Sequence, residues 1–502
     1  QGRGLLLHHA GQLPAPDDGD HRRRTAGGSG SAHGPQATRP RTLGRVPAST
    51  PPDPAPPPDP AADTARGDGG ARARADIPAS ASADPDPGPA GAAPGNPAGA
   101  APGAGPAGPP RAVRVLGVWA ACTLLTLVLA RLGAQDTPAT PWGGSAPSWL
   151  EHMAFWDAGW YERILTEGYP SVLPASADGM VQQNTWAFMP LLPLLAAASS
   201  SVTGLPFYAS AALVSLTASA AAALGLDRWL APRAGARQSL WAVALVWSSP
   251  CALVLQTPYA EALGLALTAA ALGLAHRRRF LIAAPIAALA CLSRPIGVPL
   301  AAALGLWWAW ETACARGLVP DAVRALLPGA RPLTARQRLG LLGLTAWTGA
   351  AALVWPAAAW AVTGRADAYT ATETAWRGEH LAPFQPWLTR SGWWVGEHLG
   401  PVLLAAVLAL AALGLASRAL RSLGPAAWFW CAGYVIYLLA FFDPTTSVFR
   451  LLLPLAPAAW ALPALVRGRR GRAALLLGGV VGQLVWISWV WDLGSVAIRW
   501  VP

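Results

Sequence analysis

The segment from Phe155 to Tyr169, FWDAGWYERILTEGY, places an aspartate among aromatic residues between two strongly apolar regions. Asp157 follows Trp156 and precedes Trp160 and Tyr161. A carboxylate in such a partly dry, aromatic setting is a good proton acceptor, which makes Asp157 a candidate general base. The alternative is an aromatic belt at a membrane surface that contains an incidental acid. The spacing supports both interpretations equally.

Two glutamates in the same segment are weaker candidates than Asp157. Glu162 lies five residues after Asp157, so on a helix the two carboxyl groups would not share a face as residues three or four apart do. We therefore expect Glu162 and Glu167 to be solvated residues of a loop or a short helix.

Three further ionisable residues begin or interrupt apolar runs. Glu261 follows QTPY, Arg294 interrupts CLSRPIG and Arg450 follows FDPTTSVF. A charge at membrane depth costs a few kcal/mol to insert, so each of these residues is a functional candidate. The planar guanidinium matches two oxygens of a phosphate. Alternatively, each arginine pairs with Asp443, Glu261 or a lipid headgroup. In the corresponding interpretation of Glu261, it lies at the N-terminus of a helix only because the helix dipole favours an acid there.

A late polar loop, YTATETAWRGEHLAPFQPW, adds Trp376 to the candidates. Trp and Tyr rings beside polar groups suit the apolar face of a sugar, as they suit any amphipathic ligand. His380 in this loop has no second histidine at metal-ligand spacing, and the five cysteines are scattered singly. We expect neither a metal site nor a cofactor. The other polar residues of the loop are Glu373, Arg377 and Glu379.

The composition indicates a membrane protein. Hydrophobic residues make up 53% of the 502 positions and charged residues only 13%, too few to cover the surface of a soluble protein of this size. The net charge of +11 comes from arginines in short clusters between apolar runs. Such clusters orient helices in a bilayer, so we expect no nucleic-acid partner.

The chain divides into two unlike regions. Residues 1–110 consist largely of Pro, Ala, Gly, Asp and Arg and have few large apolar side chains. They cannot bury enough surface to offset the entropy of ordering. We expect 1–110 to be a disordered cytoplasmic tail and 111–502 to be the membrane domain.

Eleven apolar runs in the membrane domain are long enough, or nearly so, to cross the roughly 30 Å hydrocarbon core of a bilayer. The segment 187–203 has two prolines and a Ser-rich end, which suit a re-entrant or interfacial segment better than a crossing. The sequence thus predicts an all-α polytopic protein with about 11 transmembrane helices. The runs lie at about 113–133, 205–226, 239–256, 258–275, 280–292, 295–310, 340–362, 400–416, 424–442, 451–466 and 473–491.

The arginine distribution orients these helices. With 187–203 not crossing, one set of loops carries 17 arginines and the opposite set carries seven. The richer set is expected to be cytoplasmic. The polar, aromatic segments with Asp157, Tyr259, Arg294, Trp376 and Arg450 then all lie on the extracytoplasmic face.

These segments also resemble a known family. FWDAGWYERILTEGY is similar to the Trp-Asp-x-Gly-Trp-Tyr signature of the PIG-V-type (GPI mannosyltransferase 2-like) family of GT-C membrane glycosyltransferases. Four further segments resemble the family's motifs in the same order and extend the resemblance from about residue 113 to the C-terminus: AFMPLLPLL, TPYAEAL, SRPIG and AWRG. FDPTTSVFRLLLP, which contains Arg450, is only loosely similar to the last motif.

The resemblance implies a GT-C-like fold and a glycosyltransferase of the plasma membrane. The enzyme would transfer mannose from a polyprenyl-phosphate-mannose donor to an acceptor hydroxyl, with inversion, and Asp157 would be the general base. Arg294 and Arg450 would stabilise the leaving phosphate without a metal. The substrate-binding residues would be Trp156, Trp160, Tyr161, Tyr259, Glu261, Arg294, Trp376 and Arg450.

The sequence identifies neither the acceptor nor the sugar. Richness in Ala, Arg and Gly and the absence of Lys suggest a GC-rich bacterial genome, so a glycan, lipoglycan or protein acceptor is more plausible than a GPI anchor. One alternative is a GT-C enzyme that transfers arabinofuranose or glucose. The other is a non-enzymatic transporter of lipid-linked glycans, which would depend on polar residues deep in the spans.

Overall fold

The computed structural model describes residues 109–140, 142–328, 331–376, 382–466 and 468–492. Within these ranges the protein is helical, and its β contacts are two isolated bridges, Thr140 to Gly143 and Ala175 to Val181. The predicted all-α class is confirmed. All but the last two residues of the predicted 1–110 tail lie outside the described residues.

The N-terminal part of the described chain combines one long helix with a loop of short ones. The fourth helix is 13 residues, roughly 20 Å, long and therefore shorter than a hydrocarbon core. Gly204, in the left-handed conformation (φ 72°), ends it. The helices are α1 Arg111–Asp136, α2 Trp149–Met153, α3 Ala158–Thr166 and α4 Leu191–Thr203.

The central helices form the core of the bundle. α5 packs along α7, and α9 packs against both α11 and α16. The predicted run 239–256 is not one helix, because the chain turns at Ser248–Pro250 before a 3₁₀ turn, Ala252–Leu255. These helices are α5 Phe207–Ala234, α6 Ala236–Trp247, α7 Glu261–His276, α8 Phe280–Cys291, α9 Gly297–Ala315, α10 Asp321–Arg324 and α11 Ala335–Thr363.

The C-terminal part contains several short helices. The predicted span 451–466 is broken into short turns, since Pro454, Pro457 and Pro463 each remove a backbone N–H. The helices are α12 Ala368–Ala375, α13 Gln385–Val395, α14 Gly400–Ala416, α15 Arg418–Arg421, α16 Pro425–Phe441, α17 Val448–Leu451, α18 Ala456–Ala459, α19 Leu462–Leu465 and α20 Arg469–Trp486, followed by a π turn, Ile487–Trp491.

Four helical segments in the described ranges are long and apolar enough to cross a membrane: α1, α5, α11, and α20 together with its π turn. A fifth would be α13 with α14, which are bent by 118° at their junction. Other predicted spans are shorter helices, such as the 12-residue α8. The structure thus supports a membrane protein, with fewer full-length spans than the eleven predicted.

The outer faces of the bundle are apolar. In α14 only Gly400 is buried, and Leu410 and Leu413 are exposed. Leu124 on α1 and Leu353 on α11 are also exposed. A helix that is apolar on its outer face is typical of a bundle surrounded by lipid.

Helix α7 defines the two ends of the bundle, which we name the Glu261 end and the His276 end after its terminal residues. At the His276 end, arginine-rich connections contact one another: Arg277 donates to the carbonyl of Arg228 (2.8 Å) and Arg278 to that of Arg331 (2.7 Å). The sequence predicted that these arginine-rich connections lie on the same side of the membrane, and in the structure they lie at the same end of the bundle.

The junction of α8, α9 and α11 yields a stability prediction. A Cβ on Gly297 would lie 2.6 Å from Ala352 Cβ and 3.0 Å from its backbone Cα, whereas one on Gly343 would meet nothing within 4 Å. We expect Gly297→Ala to lower the free energy of unfolding by about 1–3 kcal/mol through overpacking. Gly343→Ala should leave it unchanged or raise it by up to about 1 kcal/mol. Unfolding in detergent measures both, and equal shifts would contradict the packing described.

Candidate functional site

Four charged side chains from four separate segments meet at the Glu261 end. Arg450 Nη1 lies 2.6 Å from Asp157 Oδ2 and 3.2 Å from Glu261 Oε1. Arg294 Nη1 lies 2.5 Å from the same Glu261 oxygen. We call Asp157, Arg450, Glu261 and Arg294 the charged cluster. All four were candidates in the sequence, and the structure brings them together.

The arginines of the charged cluster pair with Glu261, one of the partners considered from the sequence. Asp443, another considered partner, instead binds Arg390, whose Nη2 lies 2.7 Å from Asp443 Oδ2. Glu261 is thus shared by two guanidinium groups.

The charged cluster is buried and formally neutral. Glu261 exposes 3% of its side chain, and the other three expose between 12% and 15%. Buried charges are tolerated only when they are paired and hydrogen-bonded. Two arginines and two carboxylates satisfy this requirement together, and losing any one of them leaves a buried charge unbalanced.

Tyr259 fixes the backbone that carries Asp157. Its hydroxyl donates to the carbonyl of Phe155 and accepts the N–H of Asp157, both at 3.0 Å. The guanidinium carbon of Arg450 lies 5.6 Å from the centroid of the Tyr259 ring, within cation–π range. Tyr259, a predicted site residue, therefore connects Asp157 to Arg450.

Trp156 supports the same turn from the other side. It has a positive φ of 63°, uncommon for a bulky residue. Its Nε1 donates to the carbonyl of Trp491 (3.1 Å), and its ring lies 4.4 Å from that of Trp142. These contacts position the backbone before Asp157, and the substrate contact predicted for Trp156 stays a prediction.

Helix starts and turns position Glu261 and Arg294. Glu261 is the first residue of α7, and Arg294 lies in the turn between α8 and α9. Gly264, one turn after Glu261, leaves room for the arginine, since a Cβ there would lie 3.2 Å from Arg294 Cδ. A side chain at position 264 would therefore crowd the arginine in its contact with Glu261.

A small cavity of about 10 Å³ lies beside the charged cluster, with room for about one water molecule. Glu261, Arg294, Arg450 and Thr268 contribute its polar lining. Three buried atoms of this lining, Glu261 Oε2, Arg450 Nε and Thr268 Oγ1, have no hydrogen-bond partner among the described residues. Buried polar atoms normally find a partner, so the cavity favours a small polar group such as a ligand oxygen.

An aromatic cluster joins the first loop to the late loop. Trp160 stacks on Phe188, with ring centroids 5.8 Å apart. Trp376 meets both rings edge-on, at 5.2 Å from Trp160 and 5.4 Å from Phe188. Trp376 Nε1 is buried without a partner among the described residues. We call Trp160, Phe188, Trp376 and Tyr161 the aromatic cluster.

Tyr161 packs within the aromatic cluster and lies within electrostatic range of Glu261. Its ring packs edge-on against Phe188 at 5.2 Å. Burial, with the negative charge of Glu261 as the second cause, raises the pKa of the Tyr161 hydroxyl above its ordinary value. The hydroxyl therefore stays protonated and can act as a hydrogen-bond donor.

Sequence reasoning missed two parts of the site. Phe188 lies in the AFMPLLPLL motif, but only its contacts reveal its role. His152 and Asp492 are buried, and His152 Nε2 lies 2.5 Å from Asp492 Oδ1. Trp491 Nε1 also donates to the His152 carbonyl (2.9 Å), so this pair ties α2 to the π turn that supports Trp156.

The remaining candidates lie outside both clusters or outside the described residues. Glu162 was expected to be solvated, but it is half-buried and accepts a hydrogen bond from the Tyr208 hydroxyl (2.6 Å). Glu167 is exposed and pairs with Arg163, as expected for a surface residue. The late-loop residues Arg377, Glu379 and His380 lie outside the described residues.

The paired burial of the charged cluster predicts strong energetic coupling. Glu261→Gln and Arg294→Gln should each lower the free energy of unfolding by about 3–5 kcal/mol, because each leaves a buried charge without its main partner. The double variant should cost much less than the sum of the two.

The exposed pair Arg365 and Asp367 provides the matched control. Its side chains are 47% and 58% exposed, so Arg365→Gln, Asp367→Asn and their combination should reveal coupling below about 1 kcal/mol. Denaturant unfolding of all six variants measures both couplings. Equal, small coupling in both pairs would contradict the cluster as described.

Comparison with known proteins adds no relative. The chain matches no family model, no curated protein and no solved structure. The resemblance of its motifs to the PIG-V-type family therefore stays a prediction.

Proposed function

We propose that this protein is an integral membrane glycosyltransferase that transfers mannose from polyprenyl-phosphate-mannose to a hydroxyl of a glycan, lipoglycan or protein. The observation that carries this proposal is the buried contact of Asp157 with Arg450, and through Glu261 with Arg294. This arrangement places a candidate general base beside two guanidinium groups, which suit the binding of a phosphate.

In the proposed reaction Asp157 accepts the proton of the acceptor hydroxyl as its oxygen attacks the anomeric carbon. The bond from that carbon to the phosphate oxygen breaks, and its electron pair remains on the phosphate. Attack opposite the leaving group inverts the anomeric configuration. General-base assistance of this kind contributes about 10²–10⁴ in rate.

Arg294 and Arg450 would stabilise the leaving group. The donor phosphate is a diester and leaves as a monoester, which gains negative charge during the reaction. Guanidinium groups in a buried site stabilise such developing charge strongly, because they are already oriented and little water screens them. The unpaired polar atoms of the small cavity lie beside both arginines.

Donor binding would also release the base. Arg450 Nη1 is bound to Asp157 and Glu261, while its Nε has no partner among the described residues. A carboxylate held by a guanidinium is less available to accept a proton. A phosphate near Arg450 would compete with Asp157 for the guanidinium, and the freed carboxylate would then face the acceptor.

The aromatic cluster would bind the sugar. Aromatic rings such as Trp160 and Trp376 offer flat apolar surfaces to the C–H face of a pyranose ring. The unpaired Nε1 of Trp376 and the Tyr161 hydroxyl provide donors for sugar hydroxyls. This arrangement would place the sugar between the aromatic cluster and the phosphate site.

The proposal includes a GT-C-like fold in the plasma membrane with the site on the extracytoplasmic face. Its support is the arginine-rich His276 end, which the positive-inside tendency assigns to the cytoplasm. The charged cluster lies at the opposite end of α7.

Transfer of radiolabelled mannose from polyprenyl-phosphate-mannose tests the function. In membranes with equal amounts of inserted protein, Asp157→Asn should reduce transfer to endogenous acceptor at least about 100-fold. Glu167→Gln, which alters an exposed carboxylate ten residues away in the same segment, should retain the wild-type rate.

Parallel reactions with glucose and arabinofuranose donors separate the alternatives. If the wild type transfers sugar from one of these donors and Asp157→Asn does not, the protein is a glycosyltransferase whose donor sugar is not mannose. Movement of intact lipid-linked glycan across the membrane without covalent transfer would favour a transporter. If the wild type transfers no sugar, or Asp157→Asn transfers as well as the wild type, the proposed mechanism is wrong.

A further inference from the structure

An open pocket of about 220 Å³ lies at the His276 end, far from the charged cluster. The 16-residue α7 separates the two, a distance of roughly 24 Å along its axis. The charged and polar lining consists of Arg233, His276, Arg278, Arg331 and Glu311. These residues come from the ends of α5, α7 and α9 and from the loop before α11, so the pocket draws on several elements.

An arginine and a histidine approach the N-terminus of α16. A Cβ on Gly424, the residue before α16, would lie 2.6 Å from Arg233 Nη1 and 3.2 Å from His276 Cε1. Gly424 has no side chain to cap the helix and adopts a φ of 101°. Pro425, the first residue of α16, also lines the pocket. A guanidinium and an imidazole thus lie at the positive end of a helix dipole.

An anion at this N-terminus would be stabilised by the helix dipole and by Arg233. Helix dipoles favour cations at C-termini and anions at N-termini, and Arg233, in the last turn of α5, also faces the start of α16. Arg278 donates to neutral oxygens, those of Gln337 (2.7 Å) and the Arg331 carbonyl (2.7 Å). The pocket thus gathers positive charge without a matching set of carboxylates in its lining.

The acid in the pocket lining is already engaged. Glu311 is buried, and its two carboxylate oxygens accept from Trp307 Nε1 (3.2 Å) and the Leu333 N–H (3.0 Å). One carboxylate against three arginines leaves an excess of positive charge. An anion with several oxygens would balance this excess.

We propose that this pocket binds a phosphate group, either on the headgroup of an anionic lipid or as a free phosphate. Arginine forks hold phosphate oxygens in pairs, and helix N-termini bind phosphate through their dipole and free N–H groups. The volume accommodates a phosphate with a substituent. This site is independent of the proposed glycosyltransferase activity.

Two binding measurements on the full-length protein separate the sources. Equilibrium dialysis of detergent-purified protein against inorganic phosphate at constant ionic strength tests the free anion. Native mass spectrometry of protein released from nanodiscs of phosphatidylglycerol and phosphatidylcholine tests the lipid. The proposal expects saturable binding in at least one measurement, and that measurement identifies the source.

Matched variants tie the binding to the pocket. Arg233→Gln and Arg331→Gln should each weaken binding roughly tenfold, as expected for the loss of a hydrogen bond from a charged group. Arg331 is exposed, so its variant remains informative if Arg233→Gln fails to insert. Arg418→Gln, an exposed arginine outside the pocket lining, should bind like the wild type.

Two results would overturn the proposal. One is the absence of saturable binding in both measurements. The other is an equal loss of binding in Arg331→Gln and Arg418→Gln, which would show that the arginines attract anions only through their general positive charge.

Discussion

Two arginines and two carboxylates buried in an apolar helical bundle must neutralise one another, and this requirement organises the Glu261 end. Arg450 bridges Asp157 and Glu261, and Glu261 also binds Arg294. The four residues come from the first loop, the start of α7, the α8–α9 turn and α17. Because an unpaired charge there costs several kcal/mol, the cluster fixes how these four segments meet.

The contacts around the charged cluster fix its backbone but leave its side chains able to exchange partners when a substrate binds. Tyr259 holds the backbone of Asp157. The buried pair of His152 and Asp492 joins the segment before Asp157 to the C-terminal part of the chain. The side chains of Asp157 and Arg450 keep some exposure. In our proposal a rigid backbone thus carries side chains that exchange one charged partner for another.

The charged residues were predictable, whereas their partners were not. Asp157, Glu261, Arg294 and Arg450 stand out because each begins, interrupts or adjoins apolar sequence, where a charge is costly. Pairing of residues up to 293 positions apart leaves no periodic signal. Phe188 and the buried pair of His152 and Asp492 escaped notice for the same reason. Helix lengths were overestimated where prolines divide an apolar run, as in 451–466.

A structure with bound polyprenyl-phosphate-mannose, determined by electron cryomicroscopy, would show whether the charged cluster receives the donor phosphate and thereby frees Asp157. We expect phosphate oxygens within about 3.2 Å of Arg450 and Arg294, and an Asp157 carboxylate no longer in contact with Arg450. A donor bound away from both arginines, with the contact between Asp157 and Arg450 retained, would contradict this expectation.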